Sequence, residues 1–587
     1  MLILFTGLPG LLHPAVVLSL AALLFVLLRL RLHLTPSHSG WNELSARPAE
    51  EKAFIAVFAA LSGFYFVLVL GATLAPELSF DALNVHLPYA RDAASARKLI
   101  FASNNWSSLM PALPLMSYIT AFLFSGQNLA KLFNTLSYFA CGGVVFFFVR
   151  RWWGLLRGTA AATLFWSSPI SLYEGTTALI DLPFALYSSV AVFALLEWAE
   201  RPEPNCLRLS AAALGLALGC KYHAAFWFVP CACLISWHAL RVYGWPIRRL
   251  LRLLFEYAIV ASLLFLPWLL RTWYFTGNPV FPLANSIFKS RLFTPAMEDA
   301  ARAAYANEGV GNSWLELLRL PWTVSFHPAP FRGTPGAVLF LGTALALARI
   351  RSRQIRYGLI LAGVYFYTWA LTAQEIRYLL PIVPALAMIA VAGFLGTDKS
   401  LQQPGQNAAW RKTQAALRSF AAPALLLAGA CLALPPVYTR WVKEWTYWHS
   451  YIPPFRYLLG KESPEEYLSR DVPSIYIYDF VNKHLSARQR ILLLNDHAQF
   501  YSSVPTLYSF TVEAEGILNE QSEEGVMRKL KEAGISHVLL NYNGIRALPD
   551  VAPRVGAYFF LDRRFQEKYL EPVQSQNNVV LYRVRVA

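Results

Sequence analysis

The sequence predicts an α-helical polytopic membrane protein with about twelve transmembrane helices and a small C-terminal α/β domain outside the membrane. Hydrophobic residues make up 56% of the 587-residue chain and charged residues only 15%, whereas soluble proteins carry about 25% charged residues. Many segments approach the roughly 20 apolar residues that cross a bilayer as a helix. After about residue 437 these long runs give way to short alternating ones, which are typical of a small mixed domain.

The net charge of +16 does not indicate nucleic-acid binding, because the basic residues lie in short clusters between apolar runs. Such clusters are typical of cytoplasmic loops. The first apolar run, residues 11–31, has no basic residue before it and contains Arg29 and Arg31 at its end. This charge order predicts an N-terminus outside the cell and a cytoplasmic linker over residues 32–52.

The second apolar run, residues 53–75, returns the chain to the outer face. The remaining predicted spans are 130–149, 158–173, 182–199, 207–220, 224–240, 253–270, 335–350, 357–373, 379–396 and 420–436. With these spans, the arginine and lysine clusters that follow 149, 240, 348 and 398 all become cytoplasmic.

Residues 109–125 are also apolar enough to span the membrane. Counting them as a span would turn Arg150 and Arg151 outward and put Asp81 and Asp181 on opposite faces. Prolines at 111 and 114 would also interrupt the first turns of such a helix. We therefore predict a juxtamembrane or re-entrant helix inside an external loop.

The C-terminal stretch contains three strand-like runs at 490–496, 537–543 and 578–584. Residues 523–534 read as an amphipathic helix that ends at a glycine. The predicted domains are an extra N-terminal helix with its linker, a membrane domain with two large external loops, and the C-terminal domain. Their bounds are 1–52, 53–436 with external loops 76–129 and 271–334, and 437–587.

This topology gathers ionisable and polar side chains on the outer face of the membrane. Ionisable groups at membrane depth are costly and usually serve a function. Asp81 directly follows a span and Asp181 directly precedes one. Each carboxylate therefore needs either an ion-pair partner or a functional role. The other candidates on this face are His86, Glu174, Lys221, Tyr222, Arg271, Asn278, Arg377 and Tyr378.

Several of these residues also have simpler interpretations. Lys221 and Arg271 fit equally well as side chains that reach toward lipid headgroups. Asn278 lies in a Gly-Asn-Pro sequence that favours a turn, and His86 fits a structural role. Arg91 fits the solvated side of an interfacial helix better than a binding site.

The order of three motifs resembles a known family. "DALNVHLPYA" at 81–90 matches D-x-x-x-x-H-x-P-x-A, "DLP" begins at Asp181, and "RYLLPIVP" begins at Arg377. Over residues 53–396 the chain resembles the GT-C membrane glycosyltransferases. The likeness is to the branch of bacterial protein O-mannosyltransferases, lipid A aminoarabinose transferases and RgtA/B/C/D-like enzymes. The chain departs from this branch at Ala82, where a second acidic residue is usual.

The resemblance implies an inverting glycosyltransferase that takes a sugar from a polyprenyl phosphate. The acceptor would be a lipid, a glycan or a protein at the outer face of a bacterial inner membrane. Asp81 would be the base that deprotonates the acceptor. Lys221, Arg377 and Arg271 would stabilise the leaving phosphate.

The remaining candidates have supporting roles under this resemblance. Asp181, the second catalytic candidate, and Glu174 would hold the acceptor or orient the cations. His86, Tyr222, Asn278 and Tyr378 would contact the donor or the acceptor. No cofactor is expected, and no metal is expected because the sequence has no dense carboxylate cluster.

Two other function classes also fit a chain with many spans. A lipid or solute transporter, or flippase, would explain the intramembrane charges, but such proteins tend to show internal repeats and helices broken at the midplane, and the sequence shows neither. A membrane scaffold with a sensing domain would leave Asp81 and Asp181 without a purpose.

Overall fold

The computed structural model describes residues 12–14, 16, 44–45, 47–101, 106–306, 308–397, 422–432, 454–543 and 555–585. Helices make up most of this part of the chain, and one five-stranded sheet lies near its C-terminal end. Most of the predicted first span, 11–31, most of the linker 32–52 and the basic cluster after 398 lie outside the described residues. The domain bounds stay predictions.

Seventeen helices are described before residue 454. They are α1 Ala49–Leu74, α2 Leu87–Ser95, α3 Leu113–Phe124, α4 Gln127–Trp153, α5 Leu155–Ser167, α6 Pro169–Gly175, α7 Asp181–Glu200, α8 Pro204–Cys220, α9 Phe228–Trp237, α10 Ile247–Thr276, α11 Asn285–Phe288, α12 Pro295–Ala306, α13 Trp314–Phe326, α14 Ala337–Ala346, α15 Arg353–Thr372, α16 Val383–Leu395 and α17 Ala422–Leu432. Short π-helical turns and 3₁₀ helices join several of them.

The protein is a multi-pass membrane protein. Among the described residues, six helical segments are long and apolar enough to cross a bilayer. They are Ala49–Leu74, Gln127–Trp153, Asp181–Glu200, Tyr222–Val242, Ile247–Thr276 and Ile376–Leu395. Of the other apolar runs predicted as spans from residue 130 onward, 357–373 lies almost wholly in the 20-residue helix Arg353–Thr372. The rest are mostly helical where the structure describes them, but as shorter helices.

Helix α3 occupies the segment 109–125, whose role the sequence leaves open. Its 12 residues rise about 18 Å, which is well short of the roughly 30 Å hydrocarbon core. By itself it is too short to cross the membrane as a straight helix, and the juxtamembrane or re-entrant position of the segment stays a prediction.

Close helix contacts hold the membrane domain together. A Cβ atom on Gly393 of α16 would lie 1.9 Å from the carbonyl oxygen of Gly342 in α14. Only residues without a side chain allow the two backbones to approach this closely, as at many membrane helix interfaces. This contact fixes α16, which directly follows the segment that carries Arg377.

The C-terminal domain is an α/β unit. Its helices are α18 Phe455–Leu458, α19 Pro464–Leu468, α20 Ile475–His484, α21 Val512–Leu518, α22 Glu523–Glu532, α23 Val555–Phe559 and α24 Arg563–Tyr569. Its strands are β1 Ile491–Leu494, β2 Thr506–Tyr508, β3 His537–Asn541, β4 Leu570–Gln576 and β5 Val579–Val584. The strand order is β2-β1-β3-β5-β4, with β1 parallel to both neighbours and β5 antiparallel to both of its own.

The predicted strands and helix of this domain are confirmed. The three strand-like runs form β1, β3 and β5, and the amphipathic segment forms α22. Strands β2 and β4 were not predicted. β2 has only three residues, and β4 is an edge strand whose side chains are mostly exposed.

The C-terminal domain is docked on the segment that follows α1. The Tyr501 hydroxyl donates to the carbonyl oxygen of Glu77 at 2.7 Å. The guanidinium of Arg91 donates to the carbonyl oxygen of Phe500 at 2.9 Å. These bonds join residues more than 400 positions apart in the chain, so the domain forms part of the surroundings of Asp81.

Reporter fusions test the predicted orientation. A reporter that is active only outside the cytoplasm should be active when fused after residue 440 and inactive when fused at residue 252. A reporter that is active only inside should give the opposite pattern, because the basic cluster near 252 is predicted to stay in the cytoplasm. Reversal at either position would contradict a shared outer face for Asp81 and the C-terminal domain.

Candidate active site

Asp81 lies at the start of an irregular helical segment just after α1. A π-helical turn, Ala82–His86, follows it and leads into α2. Pro88 has no N–H group, so it cannot bond to the carbonyl oxygen of Asn84 four residues earlier. The side-chain amide of Gln499 in the C-terminal domain donates to that carbonyl instead. The domain therefore completes the hydrogen bonding of the turn that carries Asp81.

A buried carboxylate ties this segment to the next acidic segment. Oε1 of Glu77 accepts hydrogen bonds from the backbone N–H groups of Leu78 and Ser79, at 2.9 and 2.8 Å. Oε2 accepts from the N–H of Ala178 at 2.6 Å. Glu77 thus connects the backbone four residues before Asp81 to the backbone three residues before Asp181.

Asp181 begins α7, where the helix dipole favours a negative charge. Its Oδ1 atom accepts a hydrogen bond from Nζ of Lys221 at 2.6 Å. Lys221 follows the last residue of α8 in an extended conformation, and its ammonium group lies 3.9 Å from the ring centroid of Tyr378. The lysine charge is therefore held between a carboxylate and an aromatic face.

Arg377 joins the two acids. It lies in the 3₁₀ helix Ile376–Ile382, and its Nη1 atom is 2.8 Å from Oδ2 of Asp81 and 3.8 Å from Oδ2 of Asp181. Its Nε atom is 3.4 Å from Oε1 of Glu375. The side chains of Asp181, Arg377 and Lys221 are 1%, 12% and 16% exposed, whereas that of Asp81 is 34% exposed. Asp81 is the open end of this four-residue cluster.

Burial and neighbouring charges set the protonation states of Asp81 and His86. Burial raises the pKa of Asp81, but the positive charge of Arg377, with smaller effects of His86 and Lys221, outweighs it and leaves the pKa below its usual value. Burial lowers the pKa of His86 to about 4, although Asp81 and Asp181 act in the opposite direction. At neutral pH Asp81 is therefore an anion and His86 is neutral.

Glu174 lies deeper than the ion pairs. Its side chain is fully buried, and neither carboxyl oxygen accepts a hydrogen bond from a described residue. The amide of Asn134 donates to its backbone carbonyl oxygen at 2.7 Å and so fixes the end of α6.

Three predicted residues are not brought into this cluster. The guanidinium of Arg271 donates to the carbonyl oxygens of Ser108, Leu109 and Met110 and to the Tyr89 hydroxyl. Asn278 closes a turn by accepting from the N–H of Val280 and donating to the carbonyl of Leu283. The hydroxyl of Tyr222 donates to the carbonyl of Phe281. All three order the external loops around the site.

The described residues offer no obvious metal site. No group of three or more His, Cys, Asp and Glu side chains among them has the spacing to hold a metal ion. The expectation that the protein needs no metal stays a prediction.

Solved structures share this architecture. The chain superposes on ArnT from Cupriavidus metallidurans, solved bound to undecaprenyl phosphate, with a TM-score of 0.53 and 16% identity over 93% of this chain and 98% of that one. The chain has the GT-C fold. A second GT-C structure, the Archaeoglobus fulgidus oligosaccharyltransferase tethered to an acceptor peptide, matches with a TM-score of 0.50 and 12% identity, over 88% of this chain and 72% of that one.

The matches to known proteins come from the comparison of structures and not from the comparison of sequences. No protein-family model matches the sequence, and no curated protein matches it. The match to the Cupriavidus protein in its apo state has the same TM-score, 0.53, over 90% of this chain. The matches cover both the membrane helices and most of the C-terminal region, so the fold likeness is not limited to the motifs between 53 and 396.

Proposed function

We propose that the protein is an inverting glycosyltransferase that moves a sugar from a polyprenyl phosphate to an acceptor at the outer face of a bacterial inner membrane. One observation carries this proposal. On a GT-C fold, an open carboxylate and two partly buried cations meet at one end of the membrane helices. This is the set of charges that the reaction requires, because one group must take a proton and others must stabilise a leaving phosphate.

In the proposed reaction Asp81 acts as the general base. The acceptor's hydroxyl or amine loses its proton to the carboxylate as its lone pair attacks the anomeric carbon. The bond between that carbon and the phosphate oxygen breaks, and its electron pair leaves with the lipid phosphate. A single displacement of this kind inverts the anomeric configuration.

The donor phosphate would compete for cations that are already paired. Lys221 is bound to Asp181 and Arg377 to Asp81, so an arriving phosphate would share or take over these partners. Drawing Arg377 toward the phosphate removes the charge that keeps the pKa of Asp81 low. Asp81 would then be a stronger base when the donor is bound than when the site is empty.

Asp181 supports this arrangement through direct contacts, and we assign Glu174 an indirect role as a nearby buried acid. Asp181 holds Lys221 and lies 3.8 Å from Arg377, so it orients both cations. Tyr378 packs against the Lys221 charge, and His86 ends the π-helical turn that follows Asp81. In this proposal the side chains of the protein stabilise the negative charge of the leaving phosphate without a metal ion.

A transfer assay tests the proposal. The purified protein in lipid nanodiscs is given undecaprenyl phosphate carrying a radiolabelled pentose or hexose, together with the glycolipid fraction of the source membranes. We expect the label to move to a new product and undecaprenyl phosphate to be released. The product should have the opposite anomeric configuration to the donor by NMR.

The same assay separates the competing class. A flippase would leave the label on the undecaprenyl carrier while moving the labelled lipid across the bilayer of a sealed vesicle. Label that stays on the carrier with every sugar and acceptor fraction would contradict the glycosyltransferase proposal.

A further inference from the structure

The C-terminal domain contacts the residue next to Asp81. Arg377 binds Oδ2 of Asp81, and no described residue donates a hydrogen bond to Oδ1. Phe80, the preceding residue, stacks on the imidazole of His497 with ring centroids 4.5 Å apart and an interplanar angle of 29°. The charge of Asp81 also acts to raise the pKa of His497, so the two side chains are close enough to interact. Phe80, Asp81 and His497 are all at least partly exposed, and we call the surface that they share the entrance.

His497 is held rigidly at this entrance. It directly follows Asp496, whose Oδ1 accepts from the Tyr478 hydroxyl at 2.7 Å and from the N–H of Ala498 at 3.1 Å. The amide of Asn541 in β3 donates to the other carboxyl oxygen of Asp496. The loop that carries Asp496 and His497 follows the carboxyl end of β1, a strand with a parallel neighbour on each side. Open α/β sheets commonly bind ligands at this end of their strands.

The imidazole is available for hydrogen bonding. His497 is only partly buried, and no described residue bonds to either of its ring nitrogens. Burial lowers its pKa, with Asp496 and Asp81 acting in the opposite direction. A neutral imidazole offers one donor and one acceptor, which matches a hydroxyl group better than it matches an anion.

The surroundings also favour an uncharged ligand with an apolar face. Phe80 remains 40% exposed. The partly negative face of an aromatic ring attracts the partly positive C–H groups of a ligand. The nearby cation Arg91 is committed to the carbonyl oxygens of Phe500 and Ser502 and to Asp92. A sugar ring combines the hydroxyl groups and the C–H face that this entrance would recognise.

We propose that His497 of the C-terminal domain binds the acceptor beside Asp81, and that the acceptor presents a sugar hydroxyl. This inference rests on the proposed function. His497 would hold one hydroxyl of the acceptor sugar while Asp81 removes the proton from the attacking hydroxyl. The C-terminal domain would then supply part of the acceptor site and act in substrate choice.

Substitution of His497 tests this role in the transfer assay. For His497→Ala we expect the apparent KM for the glycolipid fraction to rise about five- to tenfold, the effect of losing one neutral hydrogen bond. The affinity for undecaprenyl phosphate should not change. His497→Gln should recover much of the loss, because its amide can also donate and accept. His484→Ala is the matched control, since His484 is exposed in the same domain and stacks only on Phe480.

The outcomes are distinguishable from failure of the proposed function. A wild-type protein that transfers no label overturns the function and this inference with it. Normal acceptor KM in His497→Ala, with active wild-type protein, overturns the inference alone, as does an equal loss of undecaprenyl phosphate binding. Periodate treatment of the glycolipid fraction, which cleaves vicinal diols, should abolish its use as acceptor. If the treated fraction still accepts label, the acceptor group is not such a sugar.

Discussion

Replacement of Asp81 by asparagine is expected to reduce sugar transfer by at least about 10²- to 10⁴-fold, the usual contribution of a general base. Asparagine keeps the size of the side chain and can still accept a hydrogen bond from Arg377, but it cannot take up a proton at neutral pH. Single-turnover rates with labelled donor measure the effect, and circular dichroism and thermal unfolding verify the fold.

Binding of the lipid phosphate should distinguish loss of the general base from a general loss of function. Asp81→Asn should bind undecaprenyl phosphate at least as tightly as the wild type, because Arg377 no longer has to leave a carboxylate. Asp92→Asn is the matched control, since Asp92 is an exposed acid in the same segment that pairs only with Arg91. If Asp81→Asn keeps near-normal transfer while Asp181→Asn abolishes it, the two acids have exchanged roles. If neither change matters in a folded protein, the proposed reaction is wrong.

Loss of either cation of the cluster, Lys221 or Arg377, should give the second large effect. Lys221→Ala and Arg377→Ala should each lower kcat/KM. The corresponding loss of transition-state stabilisation should be about 2–4 kcal/mol, the cost of one missing oxyanion donor. Each change also leaves a buried carboxylate with less compensation, so thermal unfolding must be measured in parallel. Lys221→Arg and Arg377→Lys keep the charge and should be less impaired.

A charge elsewhere in the external loops provides the comparison. Arg302→Ala removes an arginine that is 72% exposed and pairs with Glu298, so transfer should be unaffected. Normal turnover in both Lys221→Ala and Arg377→Ala would show that the leaving phosphate is held by other groups.

Much of the membrane fold follows from composition, because long apolar runs have few alternatives to helices in a bilayer. The four clustered residues could also be predicted. Asp81, Asp181, Lys221 and Arg377 each lie at the end of an apolar run, and the positive-inside rule places those ends on one face. Their pairing could not be predicted, since it depends on how the helices pack.

The residues that sequence reasoning missed have no local signal. Glu77 lies in an irregular stretch, and its role is visible only through the distant N–H of Ala178. His497 reaches the site because a separate domain docks on the first external loop. Conversely, Arg271 has the right chemistry for a phosphate, but backbone carbonyls already occupy its guanidinium.

The carboxylate bridge made by Glu77 fixes the spacing of the two acidic segments. Because the segments before Asp81 and before Asp181 both bond to the same side chain, the backbones that carry the two acids are held in register. Arg377 comes from a third segment, the 3₁₀ helix Ile376–Ile382, and reaches both acids through its side chain. An arriving lipid phosphate would therefore exchange partners with one arginine side chain, while the two acids keep their spacing.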